Sequence, residues 1–587
     1  MAPDALSEST ALYLSESLSL GTGFLLRVKM GMVPPPSNSI IFDINSSLSD
    51  LGEEGYELSI RTDGVRIKAL HPAGLFYACQ TLLQLLPMGM PGTSKTSARY
   101  WTVPCMTICD RPSFPWRGLM LDVARHFLPT DFILRYIDLM AFYKMNRLHL
   151  HLNDTQSFTL EIKKYPRLTD PNTRLSASGR VLGTYSQKDM RDIVKYARSR
   201  HVMVIPEFDL PCHSRAVLNG YPEFVCAHLP RITQGQHDYG EYCAGRDEVY
   251  DFIEDVISEI SGIFDAPYIH IGGDEYDGTS WVDCPDCKQR IKTENLEAED
   301  SLELQRLFCC AQGNPKKYLL YRYMMRRVAR MVVSRNRIPI LWDDLAWRGS
   351  FPEKSVIMQW HYQGALDWVQ QVATPENPAR EAVLAGHDTI IAAASHHYFD
   401  YFDGGALLQR LYEFDTVPQD LALDQIPRVL GPHACVWERR QDDIDGKVFP
   451  RLLALAEKGW TPVPLLSWDH FASRLQSHYQ RLKILGVQYT QPQESEALMK
   501  EGLVRTWDIP QLAKCTQKWF INEIVTGNGC YEATLNIACG KETTNVRFER
   551  LDNEHKIETY EPPPAKETHS GNSVYQFTIS DFKPDTL

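Results

Sequence analysis

Short apolar runs recur along the chain from about residue 115, each closed by polar or aromatic residues. Eight stand out: 118–123, 147–152, 202–208, 268–271, 338–342, 356–360, 389–394 and 429–437. They are too short for helices and alternate with amphipathic stretches such as 132–143 and 249–263. That alternation marks βα units feeding a parallel sheet. Eight units predict a closed (β/α)8 TIM barrel. An open doubly wound sheet would need a glycine-rich phosphate turn after its first strand, and the sequence has none there.

The flanks are patterned differently. Residues 24–28 and 40–44 predict strands, and 56–60 and 65–69 alternate with period two around Asp63-Gly64, a hairpin turn. Residues 73–86 carry apolar positions at helical spacing up to Pro87, and 88–97, broken by glycine, proline and serine, read as a linker. At the other end, 489–525 mix helix and loop, and 531–537, 545–549 and 574–579 alternate as strands. The expected organisation is α/β overall: an N-terminal α+β domain over 1–100, a barrel over 110–488, and a C-terminal helical linker with a small β-rich domain over 489–587.

Composition narrows the function classes. With 43% apolar and 23% charged residues in 587, the chain can fill a large core and is neither disordered nor fibrous. A formal charge of −13 argues against a nucleic-acid partner, which needs a basic stripe. No apolar run reaches the ~18 residues of a membrane span, and no basic-then-apolar leader opens the chain, so a cytoplasmic location is expected. Nothing in the pattern sets an oligomeric state. Fourteen cysteines are too few for a disulfide framework, and Cys79, Cys309, Cys310 and Cys435 lie in apolar runs, where a buried thiol is the simple reading. Cys284-Pro-Asp-Cys287 lacks a second pair at zinc-finger spacing and reads as a local turn. Glycosylation sequons occur at Asn45 and Asn153, the second at a barrel strand end, where a glycan would block the rim.

Chemistry on a barrel gathers at the C-terminal ends of its strands. Those ends supply Asp122, Arg125 and His126; His149, His151, Asn153 and Asp154; Glu207, Asp209 and His213; Asp274 and Glu275. The later strands add Trp342, Asp343 and Asp344; Trp360 and His361; His396, His397, Tyr398 and Asp400; and Trp437, Glu438 and Arg439, while Arg117 precedes the first strand. Carboxylates, imidazoles and tryptophans on one rim suit a sugar, whose ring stacks on aromatic faces while carboxylates bind hydroxyls and move protons. The sharpest element is His270-Ile-Gly-Gly-Asp-Glu275. Adjacent side chains on a strand point to opposite faces, so Asp274 and Glu275 are poorly suited to the facing pair of ordinary retaining glycosidases and better suited to unequal roles.

With Trp281, that segment resembles the signature of family 20 glycoside hydrolases, the β-N-acetylhexosaminidases. The resemblance extends over residues 53–488 through Gly55-Tyr-Glu-Leu, 74–86, Trp116–His126, Leu148–Asp154 and Val204–Asp209. It implies a cofactor-free and metal-free exo-hydrolase acting on glycans with terminal β-linked GlcNAc or GalNAc. Glu275 is then the general acid/base, and Asp274 orients the 2-acetamido group, whose carbonyl oxygen attacks to form an oxazolinium intermediate with retention. By the same resemblance Arg117 holds the C3/C4 hydroxyls, and Trp342, Trp360 and Trp437 box the acetamide and the ring. Tyr398 donates to the acetamide oxygen, Asp400 and Glu438 lie near the outer hydroxyls, and Asp154 and His213 support Glu275.

Three positions depart from the family's pattern: Thr155 where a second acid is common, Cys212 where a glycine is, and Trp437-Glu438-Arg439 in place of Trp-x-Glu. If Arg439 takes the glutamate's place, a 6-sulfated or acidic sugar becomes the preferred substrate. Two readings compete with the hydrolase: a sugar-binding protein that has lost catalysis, and a metal-dependent barrel hydrolase built on His149-Leu-His151. The first expects loss of Asp274 or Glu275, and the second expects its HxH on the first strand rather than the second.

Overall fold

The computed structural model describes residues 5–22, 26–29, 38–86, 102–174, 182–229, 240–276, 278–296, 315–344, 352, 354–361, 377–401 and 408–491, with short strands at 548–551, 557–560, 566–567 and 573–574. These form two compact units, Met1–Thr490 and Gln491–Leu587.

The first unit opens with a four-stranded sheet, β1 (Ser39–Ile44), β2 (Tyr56–Arg61), β3 (Gly64–Ala69) and β4 (Met106–Asp110), in the order β1-β3-β2-β4. β2 and β3 form the expected hairpin, and the helix Pro72–Leu85 packs on the sheet. Two features were not legible. The helix Ala5–Thr22 sets Ala11, Leu14 and Leu18 into the core at helical spacing. The strand expected at 24–28 is not one, at least from Leu26 on. The Leu26 carbonyl accepts from Ser15 Oγ at 2.7 Å and its N–H donates to Ser19 Oγ, so the segment is tied to that helix instead. The expected linker at 88–97 lies outside the described residues.

The barrel is closed by eight parallel strands: β5 (Gly118–Asp122), β6 (Arg147–His151), β7 (Met203–Leu210), β8 (Tyr268–Gly272), β9 (Ile338–Trp342), β10 (Val356–Gln359), β11 (Asp388–Ile391) and β12 (Val429–Val436). All eight coincide with the runs read from the sequence. Both faces of each strand are buried, which is why these runs read as nearly continuous apolar segments. Alternate residues separate into two cores. Leu119, Leu121, Leu148, Leu150, Val204, Ile269, Ile271 and Leu341 meet the outer helices. Met120, Ile205, Ile340, Trp342, Met358, Ile390 and Cys435 fill the interior. Among the described residues no helix is long and apolar enough to cross a membrane.

In the second unit, Phe548–Leu551 pairs antiparallel with Ile557–Tyr560, and Lys566–Glu567 with Ser573–Val574. The strand read at 545–549 overlaps the first of these. The strand read at 531–537 and most of that at 574–579 lie outside the described residues.

Candidate active site

The site starts where β8 ends. Gly272 and Gly273 take positive φ angles of 62° and 99°, and Glu275 follows at 50°. A Cβ on Gly272 would lie 1.7 Å from Asp209 Oδ1, so the glycine lets that carboxyl reach the backbone. The turn also corrects the expectation of opposite-facing side chains. The strand has ended before Asp274, and both carboxylates swing towards one imidazole. Asp274 lies 3.7 Å and Glu275 3.2 Å from His213 Nε2. They differ in exposure: the Asp274 side chain is 15% exposed and that of Glu275 34%.

Behind them runs a chain of alternating charge. His213 Nδ1 is 3.3 Å from Asp154, Asp154 is 3.0 Å from His151 Nε2, and His151 Nδ1 is 2.5 Å from Glu207. Glu207 also meets His149 at 3.1 Å and His270 at 3.1 Å, and accepts from the Trp342 indole at 2.9 Å. Burial disfavours a charge on His151 and His213, yet Glu207 and Asp154 outweigh it at the former and Asp154 at the latter, raising both well above the usual imidazole range. Buried His149 falls to about 4 despite Glu207, so it stays neutral. His149 and His151 therefore flank a buried carboxylate instead of opening onto the rim.

Burial pushes the Asp274 carboxyl up, opposed by His213 and reinforced by Glu275. At Glu275 burial also pushes up, but the hydrogen bond and charge of His213 prevail, and the carboxyl sits below its usual value. Asp344 accepts the Glu275 N–H at 3.1 Å and the Trp360 indole N–H at 2.8 Å. Burial raises it to about 7, with Asp274 adding and His361 opposing.

The aromatic wall is continuous. Trp342 and Trp437 have ring centres 5.9 Å apart, Trp437 and Tyr398 likewise 5.9 Å, and Trp360 shares their core. Asp400 is buried beside them, accepts the Trp437 N–H at 3.3 Å and is raised to about 6 by burial. Asp274, Glu275, Asp154, His213, Trp342, Trp360, Tyr398, Asp400 and Trp437 thus converge at one barrel end. Glu438 joins them through its carboxylate, 3.7 Å from Arg125 Nε, although its side chain is 66% exposed. Arg439 turns away, donating to the Asp400 carbonyl at 2.5 Å and lying 3.5 Å from Asp443.

Arg117 does not belong to this group, which corrects the sequence reading. It immediately precedes β5 at the opposite, N-terminal end of the barrel, fully buried, and pairs at 2.8 Å with Glu54, in the turn before β2, while donating to the Phe114 and Lys144 carbonyls. The arginine at the rim is Arg125, three residues beyond the end of β5. It meets Asp154 at 2.8 Å and Asp122 at 3.2 Å, with its guanidinium 5.1 Å from the Trp437 ring centre. The signal for it was position, since Asp122-x-x-Arg125 follows the strand whereas Arg117 precedes it. Asp344 was legible on the same ground. Asn153 is buried with its amide donating to the Asp209 carbonyl at 2.9 Å, so that sequon's nitrogen is engaged inside the fold.

The two arginines have separable consequences. Arg117→Met leaves the half-buried Glu54 without its cation, held only by Asn146 and Tyr77, and is expected to cost about 3 kcal/mol of stability with KM unchanged. Arg125→Lys keeps the charge but loses the fork, and is expected to lower kcat/KM by roughly 10–100-fold, the worth of one or two charged hydrogen bonds. Thermal melts and Michaelis kinetics on both variants check this, and a KM rise in the Arg117 variant would reverse the assignment.

Comparison with known proteins gives a consistent result. The family described as "Glycosyl hydrolase family 20, catalytic domain" matches residues 114–463, and "Glycosyl hydrolase family 20, domain 2" matches 1–111. A beta-hexosaminidase of Porphyromonas gingivalis is 34% identical over 499 residues, covering 82% of this chain and 60% of the relative. One of Akkermansia muciniphila is 28% identical, covering 73% and 84%. The chain thus spans less than two thirds of the first of these relatives. Among solved structures, Streptomyces plicatus N-acetyl-beta-hexosaminidase in complex with Thio-NAglucal superposes with a TM-score of 0.68 at 29% identity, covering 84% of this chain and 92% of that one. A GH20 exo beta-N-acetylglucosaminidase from Vibrio harveyi in complex with N-acetylglucosamine gives 0.69 at 27%, covering 83% and 74%.

Proposed function

The chain belongs to glycosyl hydrolase family 20, and from that premise we propose that it removes terminal, non-reducing β-linked N-acetylhexosamine by substrate-assisted catalysis with retention. The observation carrying this is the unequal acid pair: Glu275 open to the rim, Asp274 sunk beneath it, both turned to His213. In the first step the acetamide carbonyl oxygen bonds to C1 while the C1–O bond to the aglycone breaks, and Glu275 gives its proton to the departing oxygen. Asp274 accepts the acetamide N–H, countering the positive charge that grows on the oxazolinium ring. In the second step Glu275 takes a proton from water as the water attacks C1, which reopens the ring and restores the acid.

Arg125, with Glu438 beside it, supplies donors and an acceptor for the outer hydroxyls, and the wall of Trp342, Trp437 and Tyr398 receives the ring face and the acetamide methyl. The retained anomeric configuration, read by NMR on early product from a fluorogenic β-GlcNAc or β-GalNAc substrate, tests the proposal. A wild type that binds the sugar without releasing it, or a first product of α configuration, overturns it.

The pH profile carries a second expectation. Productive chemistry needs Asp274 ionised and Glu275 protonated, whereas the free site favours the reverse, since Asp274 is raised and Glu275 lowered. An acetamide N–H on Asp274 stabilises its anion, and an aglycone covering Glu275 disfavours its charge. Binding is therefore expected to pass the proton from Asp274 to Glu275, so the limbs of kcat should differ from those of kcat/KM, each set reporting the coupled pair in its own state. His213→Asn removes the charge that holds both Glu275 and Asp274 down, so both limbs of kcat/KM should move to higher pH. A stationary limb would remove His213 from this role.

A further inference from the structure

Four cysteines from separate parts of the sequence meet outside the reaction centre. Cys226 follows the short helix Arg215–Gly220, Cys243 precedes the helix Asp247–Ile263, and Cys284 and Cys287 open the helix Pro285–Thr293. All four are buried, and their sulfurs lie within 4.8 Å of one another. Cys226 and Cys287 are 4.0 Å apart, Cys243 and Cys284 3.7 Å, and Cys243 and Cys287 3.8 Å. We propose that these four thiolates bind one structural zinc ion.

The distances decide between the alternatives. A disulfide needs about 2.0 Å between sulfurs. Four thiolates placed tetrahedrally at about 2.3 Å from a zinc ion stand about 3.8 Å apart. Three of the six sulfur separations match that tetrahedron, and all six lie within 4.8 Å. Cys284 is the N-cap of a nine-residue helix and Cys287 lies in its first turn, so the positive helix end favours thiolates there. The backbones are also drawn close: a Cβ on Gly245 would lie 2.2 Å from the Asp286 carbonyl carbon, which leaves glycine as the residue that fits two positions after Cys243.

The site has a mechanical consequence for the acid-bearing turn. Between Glu275 and Cys284 the chain runs through Gly278, Ser280 and Trp281. Glu241 accepts from the Gly278 N–H and the Ser280 hydroxyl, and the Trp281 indole donates to the Tyr242 carbonyl at 2.8 Å. Zinc would lock the two ends of that contact together through Cys243 and Cys284. It takes no part in the reaction and acts by holding the loop after Glu275 against the segment before residue 247.

The test is metal content on the full chain, independent of activity. Mass spectrometric metal analysis of protein purified without chelator is expected to give about one zinc per chain, released as one equivalent when a mercurial blocks the thiols. Thiol mapping of the unfolded, unreduced chain should find Cys226, Cys243, Cys284 and Cys287 all free. Cys226→Ser combined with Cys287→Ser should abolish the bound zinc and lower the melting temperature, whereas Cys105→Ser, at an exposed cysteine, should retain it. Wild type that takes up no zinc even when refolded with excess, disulfides among these four, iron with its visible absorption in place of zinc, or zinc retained by the double variant would each overturn the proposal.

Discussion

Glu275→Gln is expected to lower kcat on an unactivated disaccharide by about 10²–10⁴-fold, the usual worth of a positioned general acid. The loss should shrink on a substrate whose phenolate leaving group departs unprotonated, because the first step then needs no acid. Turnover would then stall at the second step, where water loses its general base, and azide, which needs none, should restore release as the glycosyl azide. The fold has little reason to suffer. Glu275 is a third exposed and its side chain faces His213, so the melting temperature should be nearly unchanged. Equal losses on good and poor leaving groups, with no rescue by azide, would remove Glu275 from the acid/base role.

Asp274→Asn is expected to cost about 10²–10³-fold in kcat, comparable to deleting one preorganised group from a charge-developing transition state. The asparagine keeps the shape of the side chain but not the charge opposing the oxazolinium, so KM should change far less than kcat. The structure adds a control. The Asp274 charge disfavours ionisation at both Asp209 and Asp344, each already pushed up by burial, so neutralising it relieves a crowd of acids. The variant should melt at or above the wild-type temperature. A fall in activity below fivefold, or one matched by a lower melting temperature, would sink the assignment.

The barrel was legible because its strands are buried on both faces and its helices on one, so two different apolar periods write the βα alternation directly into the chain. The site was legible as far as position relative to a strand could carry it. Every proposed rim residue from Asp154 to Glu438 closes or follows a strand and reached the same end. Arg117 failed on that same criterion, since a residue just before a parallel strand lies one strand length from the residues that close the others. Its partner Glu54 lies 63 positions away, in the turn before β2. The helix Ala5–Thr22 was missed because its apolar stripe is narrow, with serines between the leucines.

Sequence alone thus determined the barrel, the strand ends and the adjacent acids after two glycines, because each is written in local order. Tertiary structure decided what depends on chain turns and distant partners. The positive φ angles after Gly272 bring Asp274 and Glu275 to one imidazole, where strand geometry would have parted them. The field of buried neighbours, not the residue type, raises one acid and lowers the other. The same holds for the thiols: one CxxC was visible, and only folding brings Cys226 and Cys243, 58 and 41 residues before Cys284, close enough to complete a tetrahedron. Local periodicity records which face is buried, while charge and coordination depend on through-space distance, which the linear order does not contain.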